Sequence, residues 1–155
     1  MKHLRSRTLR IAGVVLGVLL VLQLVPVDRT NPPVTKDLGA PPEVAALLRR
    51  GCYDCHSNEV RWPWYAYVAP VSFLVARDVE AGRRHVNFSE WDALDPDQQQ
   101  RKLRRSGKAI DEDSMPLSIY RPLHPEAKLT QAEKDVLVAW LRSGRARARP
   151  SRRDD

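Results

Sequence analysis

Cys52, Cys55 and His56 stand together in the run Cys52-Tyr53-Asp54-Cys55-His56, and the chain has no other cysteine. The C-x-x-C-H spacing is the attachment signature of a c-type haem. Two thiols add across the two vinyl groups of the porphyrin, and two intervening residues match their separation to its edge. The next residue offers a neutral imidazole nitrogen to the iron, the usual proximal ligand. Two other chemistries use a Cys-x-x-Cys pair. A redox dithiol belongs in a βαβ context, and no strand pattern flanks this pair. Four-coordinate zinc needs more Cys or His at short spacing, whereas His85 and His124 lie far down the chain. Haem is therefore the first reading, zinc the second and a dithiol the third.

An iron held by His56 has a second axial position. The candidates are Met115, His85, His124 or an open site. Met115-Pro116 follows Asp111-Glu112-Asp113-Ser114, and Met115 is the only methionine outside the N-terminal segment. Its flanks argue against the ordinary role of methionine as core filler, and His/Met ligation suits electron transfer. His85 follows Gly82-Arg83-Arg84 and reads as a surface histidine; His124, between Pro122 and Pro125, reads as a partner for backbone near the last helix. Downstream of the motif runs Arg61-Trp62-Pro63-Trp64-Tyr65-Ala66-Tyr67. Trp62, Trp64 and Tyr65 are expected to wall the haem edge, with Arg61 and the ring N–H and O–H groups reaching its propionates. The alternative is an ordinary aromatic core. The carbonyl of Ala69 or Pro70 is the expected partner for the second ring nitrogen of His56.

Several elements must position these residues. With 155 residues there is room for one modest domain and appendages. Residues 1–10 form a basic N-terminus, with Lys2, Arg5, Arg7 and Arg10, expected on the cytoplasmic side. Residues 11–27 are 17 residues interrupted only by Gln23, and read as a transmembrane signal-anchor without a small-residue cleavage site. The positive-inside tendency then places the rest outside the inner membrane of a bacterium, in the periplasm, where covalent haem attachment takes place. Residues 28–37 read as an extended spacer and 38–143 as the haem-binding domain. Residues 144–155 form an arginine-rich tail expected to be disordered.

The net charge of +7 resides in the ends: four positive charges in 1–27, and six arginines against two aspartates in 142–155. Residues 28–141 hold a net charge of −1, which argues against a nucleic-acid-binding body.

The body reads as all-α. Glu43 to Arg50 carries Val44, Leu47 and Leu48 on one face, with Gly51 ending it. Val71 to Ala81 places Val71, Leu74, Val75 and Val79 together, with Gly82 as its stop. Asp95-Pro96-Asp97-Gln98 and Thr130-Gln131-Ala132-Glu133 are helix-opening signals, the second a capping box. The last helix presents Val136, Leu137, Trp140 and Leu141 and is expected to close at Gly144. A domain this small has little apolar core of its own, so haem should supply buried surface.

The runs Cys52-Tyr53-Asp54-Cys55-His56-Ser57-Asn58, Trp62-Pro63-Trp64-Tyr65, Ala69-Pro70-Val71-Ser72, Gly82-Arg83, Asn87-Phe88-Ser89-Glu90-Trp91, Met115-Pro116 and His124-Pro125-Glu126-Ala127 occur in this order. Together they resemble the bacterial haem-binding domain family of membrane-anchored, cytochrome c-like proteins, over about residues 40 to 142. The resemblance implies Cys52 and Cys55 as attachment sites, His56 as proximal ligand and Met115 as distal ligand. The expected function is a membrane-tethered monohaem c-type cytochrome that transfers single electrons to a redox partner protein. The alternatives are a haem enzyme or sensor with an open distal site, peroxidase-like or gas-binding, and, without haem, a zinc-stabilised interaction module.

Overall fold

Six α-helices carry the described chain: α1 Lys2–Gln23, α2 Pro42–Gly51, α3 Tyr53–His56, α4 Val71–His85, α5 Pro96–Asp111 and α6 Gln131–Ser143. Single 3-10 turns at Trp64–Tyr67, Trp91–Ala93 and Pro125–Ala127 link them. The computed structural model describes residues 2–143. The tail 144–155 and the helix stop at Gly144 therefore lie outside the described residues.

The all-α expectation holds, but the membrane-spanning helix expected over 11–27 does not. Among the described residues no helix is long and apolar enough to cross a membrane. Helical structure ends at Gln23, so the apolar part of α1 runs from Ile11 to Leu22. At 1.5 Å per residue that is about 18 Å, against a hydrocarbon core of about 30 Å. Gln23 is instead tied to the domain: its side-chain amide donates to the Tyr67 carbonyl at 2.8 Å and its oxygen accepts from the Ala69 amide at 3.0 Å.

The segment after α1 is extended, as Pro32, Pro33 and Pro41 require, and it lies along the domain. Asn31 Nδ2 donates to the Val60 carbonyl, Asn58 Nδ2 to the Pro33 carbonyl, and the amides of Thr35 and Lys36 to the Ser89 carbonyl. Lys36 pairs with Glu90 as an isolated parallel bridge.

The core is built from the apolar stripes of α2, α5 and α6 with the 86–91 segment. Leu48, Leu103, Leu137 and Leu141 are almost fully buried in it. Gly107 lets α5 approach α6: a Cβ there would stand 3.2 Å from the Cβ of Leu141. Leu137→Ala should destabilise the domain by roughly 2–5 kcal/mol, since it deletes buried atoms and leaves a cavity. Chemical denaturation with an unchanged m-value measures this, and a midpoint equal to wild type would contradict the packing described.

Helix ends follow their sequence signals. Asp95 accepts from the Gln98 amide at 2.8 Å while Gln98 Oε1 receives the Asp95 amide at 3.1 Å, a complete capping box. At α6, Thr130 and Glu133 bond reciprocally, and Glu133 also receives Arg50 Nη2 at 2.6 Å, joining α2 to α6. The Thr130 amide, with Arg50, holds the Glu133 carboxyl below the usual carboxylate range. A lowered carboxyl stabilises the fold above its unfolded-state value, and that contribution is lost as pH falls through the folded value. The α2–α6 link should therefore weaken below about pH 4. Glu133→Gln should flatten that acid limb of a circular-dichroism titration, whereas an unchanged limb would remove Glu133 from it.

α4 runs three residues past its expected stop. Gly82 lies inside the helix rather than after it, and its role is a close approach described next.

Candidate functional site

α2 and α3 are nearly continuous. The Cys52 amide donates to the Leu48 carbonyl at 2.8 Å, and the amides of Cys55 and His56 donate back to the Cys52 carbonyl at 3.1 and 2.9 Å. This single turn brings both thiols and the imidazole into one short helical stretch. Ser57 ends it in extended conformation, its buried hydroxyl donating to the Tyr53 carbonyl at 2.7 Å.

A polar clamp then fixes the motif from outside. The His56 carbonyl accepts from the Phe88 amide at 2.7 Å, and the Asn58 amide donates to Ser89 Oγ at 3.0 Å. Asn87 Nδ2 donates to Asn58 Oδ1 and Asn58 Nδ2 to Glu90 Oε1. Arg83 Nε donates to the Ser57 carbonyl at 2.9 Å. Tyr53 stacks on Phe88 with ring centres 5.4 Å apart. The runs Ser57-Asn58, Gly82-Arg83 and Asn87 to Trp91 are thus parts of one scaffold.

α4 lies directly on the motif. A Cβ at position 82 would come within 2.3 Å of the Cys55 carbonyl oxygen, so only glycine fits. That approach brings the Gly82 carbonyl 2.9 Å and the Val86 carbonyl 3.2 Å from His56 Nδ1. The expected partners, the carbonyls of Ala69 or Pro70, are replaced by these, because it is the far end of α4 that crosses the motif. Carbonyls only accept, so Nδ1 carries the hydrogen and the lone pair lies on Nε2. Burial holds the imidazole below the ordinary histidine range, partly offset by those two carbonyls. Burial also pushes the Cys52 thiol up to about 12 and the Cys55 thiol up to about 11, with the charge of Asp54 adding to the second. The group is two unbridged thiols and an imidazole whose Nδ1 is held by backbone carbonyls.

The other sequence candidates fall at varied distances from this centre. Met115 is half-buried, and Pro116 packs 3.6 Å from where a Cβ on Gly51 would stand, next to Cys52. Arg61 is exposed and its amide and Nε bond to Asp54 Oδ1. Trp64 is 75% exposed in water. Trp62 lines a groove of about 580 Å³ between residues 26–32 and α4, together with Phe73, Val79 and Arg83. Cys52, Cys55 and His56 do not line that groove, and the buried Trp62 Nε1 has no acceptor. His85 is exposed at the end of α4, where its carbonyl accepts from Lys102.

Tyr65 is engaged elsewhere. Its hydroxyl lies 2.6 Å from His124 Nε2, and His124 Nδ1 lies 2.9 Å from Glu126 Oε1. Tyr120 stacks on His124 with ring centres 3.9 Å apart and donates its hydroxyl to Asp54 Oδ2 at 3.0 Å. His124, read from sequence as a backbone partner, thus belongs to a side-chain cluster beside the motif. Tyr65 and the pair His124 and Glu126 lie in two of the runs singled out above, but nothing in their spacing shows that these runs meet.

His56 offers an imidazole nitrogen of the kind that binds haem iron, and two free thiols stand beside it on the same turn. Among the described residues no group of three or more His, Cys, Asp and Glu side chains could hold a metal ion, which leaves the zinc reading without ligands. A glycine contact that seats α4 on Cys55 and a histidine oriented through Nδ1 hold the three motif residues in one helical domain. The chain belongs to the haem-binding domain family, whose model matches residues 17–143. It is also 26% identical over 103 residues to a cytochrome c peroxidase of Escherichia coli (strain K12). That match covers 64% of this chain and 22% of the relative, so the chain spans about a fifth of that protein's length. No solved structure matches the chain.

Proposed function

We propose that this domain carries one haem c, bound covalently through Cys52 and Cys55, and passes single electrons to and from a partner protein on the periplasmic side. The observation that carries the reading is His56: its Nδ1 hydrogen is held by the Gly82 and Val86 carbonyls, so Nε2 is the nitrogen that would bind the haem iron. Bound haem supplies the one-electron couple. The chain's own residues keep the imidazole neutral, fix its tautomer and hold the two thiols protonated on one helical turn. Met115 would supply the second ligand, and its neighbour Pro116 lies against Gly51, beside Cys52. Arg61 and Trp64 remain the proposed contacts to the porphyrin edge, whereas Trp62 lines the groove apart from the motif and Tyr65 is bonded to His124.

Met115→Ala tests this reading. The oxidised wild-type protein should show the weak near-infrared sulfur-to-iron band. The variant should lose it, bind imidazole or carbon monoxide, and have a lower potential. Should wild type lack the band and His85→Ala be the variant that turns high-spin, His85 is the ligand.

The similarity to a peroxidase favours one second reading, a haem enzyme with an open distal position. A high-spin wild type that reacts rapidly with peroxide supports it against the electron carrier.

A further inference from the structure

The cluster around His124 has no role in the ligation proposed above, yet it joins directly to the attachment loop. Glu126 receives the His124 Nδ1 hydrogen at 2.9 Å, which leaves Nε2 as the basic nitrogen, 2.6 Å from the Tyr65 hydroxyl. Tyr120 lies flat on the imidazole, its plane within 5° of it, and its hydroxyl reaches Asp54, one of the two residues between the cysteines. The His124 side chain is only 12% exposed, so a charge there is weakly screened by water. The phenols of Tyr65 and Tyr120 are both within electrostatic reach of Cys55.

We propose that His124 is a redox-linked proton site, binding one proton when the haem gains one electron and releasing it on oxidation. This rests on the electron-carrier reading. One electron from the redox partner converts iron(III) to iron(II), and one proton from solvent converts the neutral His124 imidazole to imidazolium at Nε2; oxidation returns both. The cluster accommodates either state without rearrangement. Neutral His124 accepts the Tyr65 hydroxyl hydrogen at Nε2. Protonated His124 donates from Nε2 to the Tyr65 oxygen, which turns its own hydrogen away, while Nδ1 keeps its bond to Glu126. The groups that face it are Tyr65 from the Trp64–Tyr67 turn, Tyr120 from the loop after Met115, and Glu126 from the Pro125–Ala127 turn. Asp54 of α3 lies behind Tyr120, and Arg61 bonds Asp54 and acts electrostatically on Glu126. Glu126 and Tyr65 are positioning residues for the proton. Linkage is reciprocal, so a protonated His124 favours the reduced haem as much as the reduced haem favours protonation.

The test is the reduction potential of the full haem-loaded protein against pH, with the His124 ring resonances followed by NMR in both redox states. Reduction should raise the proton affinity of His124 on the order of tenfold, which for one electron is about 59 mV between the acid and alkaline limits. His124→Asn should flatten the dependence, while Tyr65→Phe and Glu126→Gln should displace it along the pH axis. Equal His124 midpoints in the two redox states, or a His124→Asn profile that matches wild type, overturns the proposal while leaving the electron carrier intact. Absence of any reversible one-electron couple overturns both. The NMR comparison within wild type remains decisive if the variants fail to fold.

Discussion

Replacing Cys52 and Cys55 together by serine is expected to abolish covalent haem completely. Both thiols proposed for attachment lie on one turn, and the chain has no other cysteine to substitute for them. Wild type expressed with the bacterial attachment machinery should give a haem stain that survives denaturing electrophoresis, and a pyridine haemochrome spectrum. The double variant should give neither, and each single variant should retain one thioether at most. Burial, with the charge of Asp54 beside Cys55, favours the thiol form of both cysteines near neutral pH. Thermal stability should fall with the haem, because a ligand that binds only the folded state adds its binding free energy to folding. A wild-type protein that takes up no covalent haem under these conditions sinks the central claim.

Gly82→Ala should be nearly as damaging, though it touches no reactive atom. The new methyl would meet the Cys55 carbonyl oxygen at 2.3 Å and its carbonyl carbon at 3.0 Å, both backbone, which have no rotamer to relieve the clash. α4 must move away from α3. Overpacking of this kind costs roughly 1–3 kcal/mol, occasionally more, and the displacement also withdraws the Gly82 carbonyl from His56 Nδ1. The expected result is a loss of about 3 kcal/mol in stability, with most of the covalent haem yield lost alongside. Gly17→Ala is the control: nothing lies within 4 Å of a Cβ there, and alanine favours helix, so stability should hold or rise slightly. A Gly82→Ala protein with wild-type melting and full haem content would mean that α4 is not seated on Cys55 as described.

Short-range signals in the sequence determined the helices and the reactive residues. Val44, Leu47 and Leu48 recur at helical spacing and do form the buried face of α2. Asp95 and Gln98 cap α5 because their side chains reach backbone donors three residues away. The C-x-x-C-H run is likewise local, since one helical turn suffices to place two thiols and an imidazole together.

Long-range choices were not legible in this way. Gly82 has the sequence appearance of a helix stop, and only the crossing of α4 over α3 shows that the absent Cβ serves an approach instead. The apolar run from Ile11 to Val27 reads as one segment, yet helix propagation stops at Gln23, whose amide is captured by the Tyr67 carbonyl and whose oxygen is captured by the Ala69 amide. His124 stands in the run His124-Pro125-Glu126-Ala127, but its side-chain role comes from Tyr65 and Tyr120, which the fold brings onto its ring beside Glu126. Residue spacing along the chain sets what one turn of backbone brings together. Which distant groups then meet depends on how the helices pack, and that packing oriented the His56 ring and built the cluster around His124.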